Sequence, residues 1–519
     1  MPFSPSDAWL QGLGAAFVQL AAGEFAAAVR GTHTSPVRAL GKWLIDALPT
    51  PLIDVAIALL RRGDKPAIAI ALTLFSLGVP AMAATAGTAT LMAALLLSGL
   101  LGLYALWRRT ELSRTTAATL GLVGTAAGML GVFFGAEASF AIGFAAAGLA
   151  LVIRRVRQRR RAEPVRLPRP QAPLGSPPGS ASLEIPGLSE LITPVDRFFV
   201  TDVTFPAPSV LLRQWRLVVR GMVEHPLSLT LDELLSLPSR EIDAVLMCVH
   251  NPVGGPFVGN ARWQGVLLRD LLVRAGAATE ADHVRLHSVD GFSAGISLSL
   301  LKDGFEPMLV YAMNGTPLTR AHGAPVRVLV PGIHGYDANI KWLASVEVMR
   351  FSEAIDYAER KGWPRRPSRM APNSRIDVPN HSALLAPDRQ IVAGVAWSPP
   401  HGVAKVELRI DGGPWQVCAL ATALGPSAWV QWQAPWDATP GRHTLETRTW
   451  GREGVQAELA AAPYPDGARG YHRIAVDVQS TRTPQRRQVC WWLASDARAR
   501  GLLAWRGITA WRRHRPHRG

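Results

Sequence analysis

Residues 66–107 carry no charged side chain. A membrane-spanning helix needs about 20 apolar residues, so the run is long enough for two, joined where Gly and Ala gather near 81–90. Residues 116–153 repeat the arrangement, interrupted only by Glu137 in the GAEAS turn. Buried helices of a soluble bundle would show a polar face at helical spacing, and these stretches show none. The pattern predicts four transmembrane helices, at about 67–86, 89–107, 116–135 and 137–153. Asp46, Pro49, Pro51 and Asp54 break up the apolar stretch 39–60. It reads as interfacial helix, and residues 1–65 as an amphipathic, interfacial region.

The loops orient this bundle. Arg61, Arg62 and Lys65 precede the first helix, Arg108, Arg109 and Arg114 lie between the second and third, and RRVRQRRR follows the fourth. The other two turns have no Lys or Arg. Basic loops stay on the cytoplasmic side, which predicts an inner-membrane, multi-pass protein with its long C-terminal part in the cytoplasm. No cleavable signal peptide is evident.

Composition agrees. Of 519 residues 18% are charged, against about 25% in soluble domains. Three Cys exclude a disulfide scaffold and a four-Cys zinc site. The net charge of +16 resides wholly in residues 154–169 (+7) and 482–519 (+9). A nucleic-acid binder spreads basic residues over a folded face, so that class is excluded.

Residues 154–182 are a basic, then Pro/Gly/Ser-rich linker with no capacity to form a core. Beyond it, WRLVVRGMV and LSLT read as strands, LDELLSLP and LLRDLLVRAGA as helices. The mixture lacks a regular βα repeat, so residues 183–375 are expected to be α+β. Short alternating runs separated by turns over 376–480 predict an all-β sandwich, with a hairpin turn at Asp411-Gly412-Gly413. The Arg- and Trp-rich tail 481–519 has no periodicity; it lies on anionic lipid or is disordered.

Two segments could carry chemistry. Cys248 ends the strand-like run AVLM and faces the loop NPVGGP. Such a thiol is a soft metal ligand or a nucleophile, or a small buried hydrophobe. Cys418 and Cys490 read as structural. His322, Arg327 and Lys341 flank the strand VRVLVPG. They could converge on a phosphate, or be three ordinary surface cations.

Taken in order, TPVDRFFV, LMCVHN, GNARWQGVLLRDLL, VDGF, NGTPL, HGAPVRVLVPGIHGYDANIKWL and RIDVP resemble the sulfite oxidase family of molybdopterin enzymes over about 190–480. The resemblance is to bacterial members with a membrane-spanning N-terminus. It implies a molybdenum–molybdopterin cofactor with Cys248 as the single protein thiolate on the metal, and an Ig-like domain at 376–480 through which two copies could dimerise. His322, Arg327 and the Asn339-Ile340-Lys341 stretch would hold the pterin phosphate; Asp290, Thr201 and Asp202 would complete the pocket. Tyr357 resembles the family's active-site tyrosine, with Tyr336 also close to the cofactor motif. The chemistry implied is oxygen-atom transfer coupled to two-electron exchange with a small oxo-donor or acceptor.

This chain departs from the family at two places. Thr201-Asp202-Val203 stands where sulfite oxidases have Arg-Asn-His, and Pro252-Val253-Gly254-Gly255 stands where basic residues follow the Cys-x-x-Asn step. A dianion needs positive charge in its pocket, so these changes speak against sulfite and leave another oxyanion, an S-oxide or N-oxide, or a neutral molecule. There is no C-x-x-C-H site and residues 61–153 contain no His, which excludes a bis-His haem in the four predicted helices. Electrons would pass to a separate partner or a quinone. The other function class open to the sequence is a cofactor-free, membrane-tethered binding or assembly protein.

Overall fold

The computed structural model describes residues 5–30, 39–40, 64–107, 114–134, 136–160, 165–202, 204, 207–303, 305–353, 367–452, 454–459 and 466–479. The interfacial helices expected within 41–60, the tail 481–519 with Cys490, and Tyr357 lie outside these residues.

Five helices come first: α1 (Pro5–Arg30), α2 (Asp64–Thr85), α3 (Thr88–Trp107), α4 (Arg114–Gly131) and α5 (Ala136–Arg160). Among the described residues three helices are long and apolar enough to cross a membrane: Asp7–Arg30, Thr88–Leu106 and Ala136–Ile153. A shorter apolar helix covers Thr73–Thr85. Two of the three coincide with the expected spans at 89–107 and 137–153; the expected spans at 67–86 and 116–135 fall in α2 and α4.

Helix α1 corrects the expectation of an interfacial N-terminus, because it packs against α2, α4 and α5. Its small residues make this possible: Ala15 and Ala16 pack with Leu91, Leu95 and Val132, and Ala26 and Ala27 with Leu106 and Leu120. Its polar residues are used between helices. Gln11 Nε2 donates to Val132 O at 2.7 Å, and Gln19 Nε2 donates to Ser98 Oγ at 3.1 Å. Small residues with interhelical hydrogen bonds are what helices need to associate where water gives no hydrophobic drive. Such polar positions dilute the apolar signal that marks a span in a sequence.

The proline-rich linker also differs from its expectation. From Val165 it lies as a strap on the α+β domain, with Val165 and Leu167 against the core. Gln171 N–H donates to Ser239 O at 2.8 Å and Glu241 N–H to Ala172 O at 3.1 Å. Gln264 Nε2 reaches Pro168 O at 2.8 Å, and Arg262 Nη1 reaches Gly175 O at 2.8 Å. Proline donates no backbone hydrogen bond but accepts freely, so this segment is ordered by its neighbours.

The α+β domain contains β1 (Leu217–Gly221), β2 (Leu227–Leu229), β3 (Arg240–Met247), β4 (Val258–Leu267), β5 (His283–Ser288), β6 (Ser293–Ser297), β7 (Met308–Met313), β8 (Thr316–Pro317), β9 (Arg327–Leu329) and β10 (Leu343–Met349). One sheet runs β2-β1-β10-β5-β6; the other runs β3-β4-β7-β8 with β9 on β7. Only β1 and β10 pair in parallel among these strands. Helix α6 (Leu231–Leu235) starts in a capping box, Thr230 Oγ1 accepting from Glu233 N–H and Glu233 returning the bond. Helix α7 (Leu268–Ala275) ends at left-handed Gly276. Both bury leucines in the core that also takes Val219, Leu286, Val328 and Val346.

The C-terminal strands are β11 (Asn373–Val378), β12 (Leu384–Leu385), β13 (Arg389–Trp397), β14 (Val403–Ile410), β15 (Gln416–Val417), β16 (Ala419–Leu420), β17 (Val430–Asp437), β18 (Gly441–Gly451), β19 (Gly454–Val455) and β20 (His472–Val478). They form two sheets, β11-β13-β17-β16 and β12-β20-β18-β14-β15 with β19 on β18. Val392, Trp432, Val406, Leu445 and Val476 fill the core between them. Cys418 sits in this core, its thiol pushed up to about 12 by burial and then by Glu407, which fits a structural residue.

Candidate cofactor site

The chain folds two separated segments onto one aromatic wall. Cys248 follows β3 directly, is 7% exposed, and belongs to the cluster formed by Phe198, Phe199, Trp263 and Met313. Phe198 meets Trp263 edge-on at 5.7 Å and the His322 ring edge-on at 5.9 Å. The Arg327 guanidinium lies 5.4 Å over the Trp263 ring. Phe198 and Trp263 thus link the thiol's surroundings to those of His322 and Arg327. The loop after Cys248 closes on itself: Cys248 N–H donates to Phe257 O and Asn251 N–H to Cys248 O, both at 3.0 Å. Asn251 Oδ1 accepts from Phe257 N–H at 2.8 Å, and Cys248 Sγ lies 3.6 Å from His250 Nδ1.

Arg327 opens β9 and is buried, with hydrogen bonds only to carbonyls: His322 O at 3.3 Å, Asn339 O at 3.2 Å and Val328 O at 3.5 Å. No carboxylate among the described residues pairs with it. Burial lowers its pKa to about 10, with only the charge of Asp202 opposing. An uncompensated buried cation is costly; it belongs where an anion will sit.

His322 points the same way. Its pKa is pushed down to about 4 by burial, then by Arg327 and Lys341. Thr319 Oγ1 accepts from His322 N–H at 3.3 Å and lies 2.6 Å from Nδ1. Thr319 thereby anchors the ring from its Nδ1 side. Its Nε2 is buried and has no hydrogen-bond partner among the described residues. Gly323, at φ +104, lets these groups converge, since a Cβ there would lie 3.0 Å from Lys341 Cβ and 3.1 Å from Arg327 Cβ. Lys341 Nζ pairs with Asp202 and donates to Ala321 O at 2.9 Å. Trp342 beside it is held at φ +52, with its indole N–H on Arg320 O at 2.9 Å; such strain recurs at functional sites.

The other expected residues are less alike. Asn339 spends its side chain on the loop before it, accepting from Val330 N–H at 2.7 Å and donating to Ile333 O at 3.0 Å. Ile340 is in the main core, so that stretch offers only Lys341 as a side chain. Asp290 turns the β5–β6 hairpin, taking Phe292 N–H at 3.0 Å; this tip reaches the site because Val289 N–H donates to Trp342 O at 2.9 Å. Thr201 is exposed. Trp263, Thr319 and Gly323 contribute without having been singled out in the sequence. Of these Trp263, inside GNARWQG, and Gly323, inside His-Gly-Ala-Pro, lay in motifs visible in the sequence.

A buried guanidinium, a neutral imidazole and an ammonium gather around a glycine gap, with a thiol on the adjoining wall. Residues 204–355 match the family model of the oxidoreductase molybdopterin binding domain. The chain is 33% identical over 294 residues to sulfite oxidase of Gallus gallus, covering 47% of this chain and 62% of that one. It is 30% identical over 284 residues to sulfite oxidase of Arabidopsis thaliana, covering 46% and 70%. The solved sulfane dehydrogenase SoxCD of Paracoccus pantotrophus superposes with TM-score 0.48 at 23% identity, over 52% of this chain and 75% of that one.

The chain belongs to the sulfite oxidase family of molybdopterin-dependent oxidoreductases, and molybdenum–molybdopterin is its cofactor. It spans 62% of the chicken relative's length and 54% of the mitochondrial sulfite oxidase of Homo sapiens.

Proposed function

We propose that this protein is a membrane-anchored oxidoreductase of the sulfite oxidase type, with Cys248 as the one protein thiolate on molybdenum. The observation that carries this reading is Arg327: a buried cation, faced by carbonyls and the Trp263 ring, beside an unpartnered His322 Nε2. Arg327, Lys341 and His322 would hold the pterin's phosphate, and the Phe198–Trp263 wall would keep water from the thiol. The bound group would supply two-electron, oxygen-atom-transfer chemistry.

In this reading the apolar helices lie in the inner membrane and the folded domains in the cytoplasm. Arg30, at the end of α1, donates to Thr119 Oγ1 at 3.2 Å, which sets it at the same end of the bundle as Arg114. A span running inward through α1 keeps the basic residues on one side. The two-sheet domain is Ig-like and provides a dimer contact, and electrons pass to a separate protein or a quinone.

The test is metal analysis of the full chain purified from a host that makes molybdopterin. About one molybdenum per chain is expected, and Cys248→Ser is expected to fold but lose turnover. A metal-free chain would leave a membrane-tethered binding protein as the reading. A C-terminal reporter that is exported would overturn the orientation.

A further inference from the structure

The cluster of basic groups around Gly323 has a carboxylate of its own. Asp202 pairs with the Lys341 ammonium, and the two side chains are only 10% and 13% exposed. The segment that carries Asp202 is fixed on both sides. Upstream, Phe198 and Phe199 stack at 5.2 Å within the aromatic wall. Downstream, Arg320, two residues before His322, donates through Nε to Ala207 O at 2.7 Å and to Pro208 O at 3.0 Å. Asp202 therefore meets Lys341 through packing, unlike an exposed pair that must order two long side chains for little gain. It is also a position at which this sequence departs from its family.

The charges can be counted. Arg327 and Lys341 are positive, Asp202 is negative, and His322, pushed down to about 4, is neutral near pH 7. The same carboxylate is the negative charge that opposes the downward shifts of Arg327 and His322. A phosphate monoester carries about two negative charges near neutral pH. Its arrival beside Asp202 sets like charges together, which costs free energy unless the carboxylate gives up Lys341. Free phosphate or sulfate brings charge and little else against that cost. A phosphate that belongs to a larger molecule brings further contacts with it.

We propose that Asp202 is a selectivity-determining residue of the cofactor site: paired with Lys341 it stabilises the empty site and keeps out free inorganic oxyanions, and it yields the ammonium only to a phosphate attached to the cofactor. The inference rests on the phosphate-holding role given above to Arg327, His322 and Lys341. Asp202 is then a competitor for Lys341 and not a ligand of the cofactor.

The experiment uses the full chain purified from a host unable to make molybdopterin, with inorganic phosphate and sulfate as probes and calorimetry and thermal unfolding as readouts. Wild type is expected to bind either anion weakly, with little change in Tm. Asp202→Asn keeps the size and removes the charge. It is expected to lower the Tm of the cofactor-free chain by roughly 5 °C and to bind both anions about tenfold more tightly, so that added phosphate restores the lost Tm. Asp202→Glu, which keeps the charge, is expected to match wild type. In chain made by a molybdopterin-producing host, Asp202→Asn is expected to keep its molybdenum through dialysis at least as well as wild type. Anion binding by Asp202→Asn no tighter than wild type overturns the proposal, as does loss of molybdenum from that variant, which would show Asp202 holding Lys341 in place for the cofactor. Tight phosphate binding by the wild-type cofactor-free chain overturns it with no variant needed. With molybdenum present in wild type, these results leave the oxidoreductase reading standing; a wild-type chain that takes up no molybdenum overturns both.

Discussion

The α+β domain and the sandwich both bury charge, and around Arg327 and Glu407 they treat it in opposite ways. In the sandwich every buried carboxylate has its cations. Glu407 accepts from Lys405 at 2.8 Å, Arg448 at 2.7 Å and the Trp450 indole at 2.7 Å. Glu446 accepts from Arg409 and Arg473, each at 2.7 Å. Arg448 and Arg409 also lie over the Trp415 ring, at 4.1 and 4.5 Å. In the α+β domain, among the described residues, Arg327 has carbonyls and a ring but no carboxylate, and His322 Nε2 has no hydrogen-bond partner. The closed network holds a fold together; the open one lacks a partner that the chain does not encode.

That contrast can be broken most directly at the thiol. Cys248→Ser should reduce turnover by at least about a thousandfold, roughly 4 kcal/mol of barrier, with an unchanged circular dichroism spectrum; retained activity with metal bound would remove Cys248 from the mechanism. Next, Arg327→Met should lower molybdenum content about tenfold or more while leaving the cofactor-free chain as stable as wild type within ~1 kcal/mol, or more stable. Denaturant melts of both forms decide it, and a large loss of stability without cofactor would show that Arg327 is structural.

Acid sharpens the same difference. His322, His334 and His472 are each pushed down from 6.5 to about 4, chiefly by burial. The unfolded chain binds more protons than the folded one between those values, so stability is full above pH 6.5 and falls as pH drops toward 4. The loss is at most on the order of 3 kcal/mol per histidine, less for the partly solvated His322 and His472. Unfolding titrated across this range should show it, and His322→Gln should flatten the dependence.

In the closed network Glu407→Gln should cost about 1–3 kcal/mol with cofactor content unchanged. Smallest of all, Glu190→Gln, which breaks an exposed pair with Arg197, should shift stability by less than ~0.5 kcal/mol.

Much of the site was readable along the chain because its residues sit in short motifs. Cys248 follows a strand, and His322, Arg327 and Lys341 flank another. The strands at 217–221 and 227–229 and the helices at 231–235 and 268–275 also lie within runs whose periodicity predicts them. The misreadings share a cause. Helix α1 has Gln11 and Gln19 on faces that only neighbouring helices satisfy, and the strap from Val165 has order only through Ser239, Glu241, Arg262 and Gln264. Ile340 sits inside a functional motif, yet its side chain faces the core.

The amino-acid order alone determined which stretches avoid water, where the thiol and the cations stand, and which family the motifs belong to, because each depends on neighbours within a few residues. Folding decided the rest: that Arg327 is left without a counter-charge, that Asn339 serves its own loop, and that His472 reaches Gly254 from more than 200 positions away. Burial and hydrogen-bond partnership are properties of surroundings, and surroundings exist only once distant segments have met.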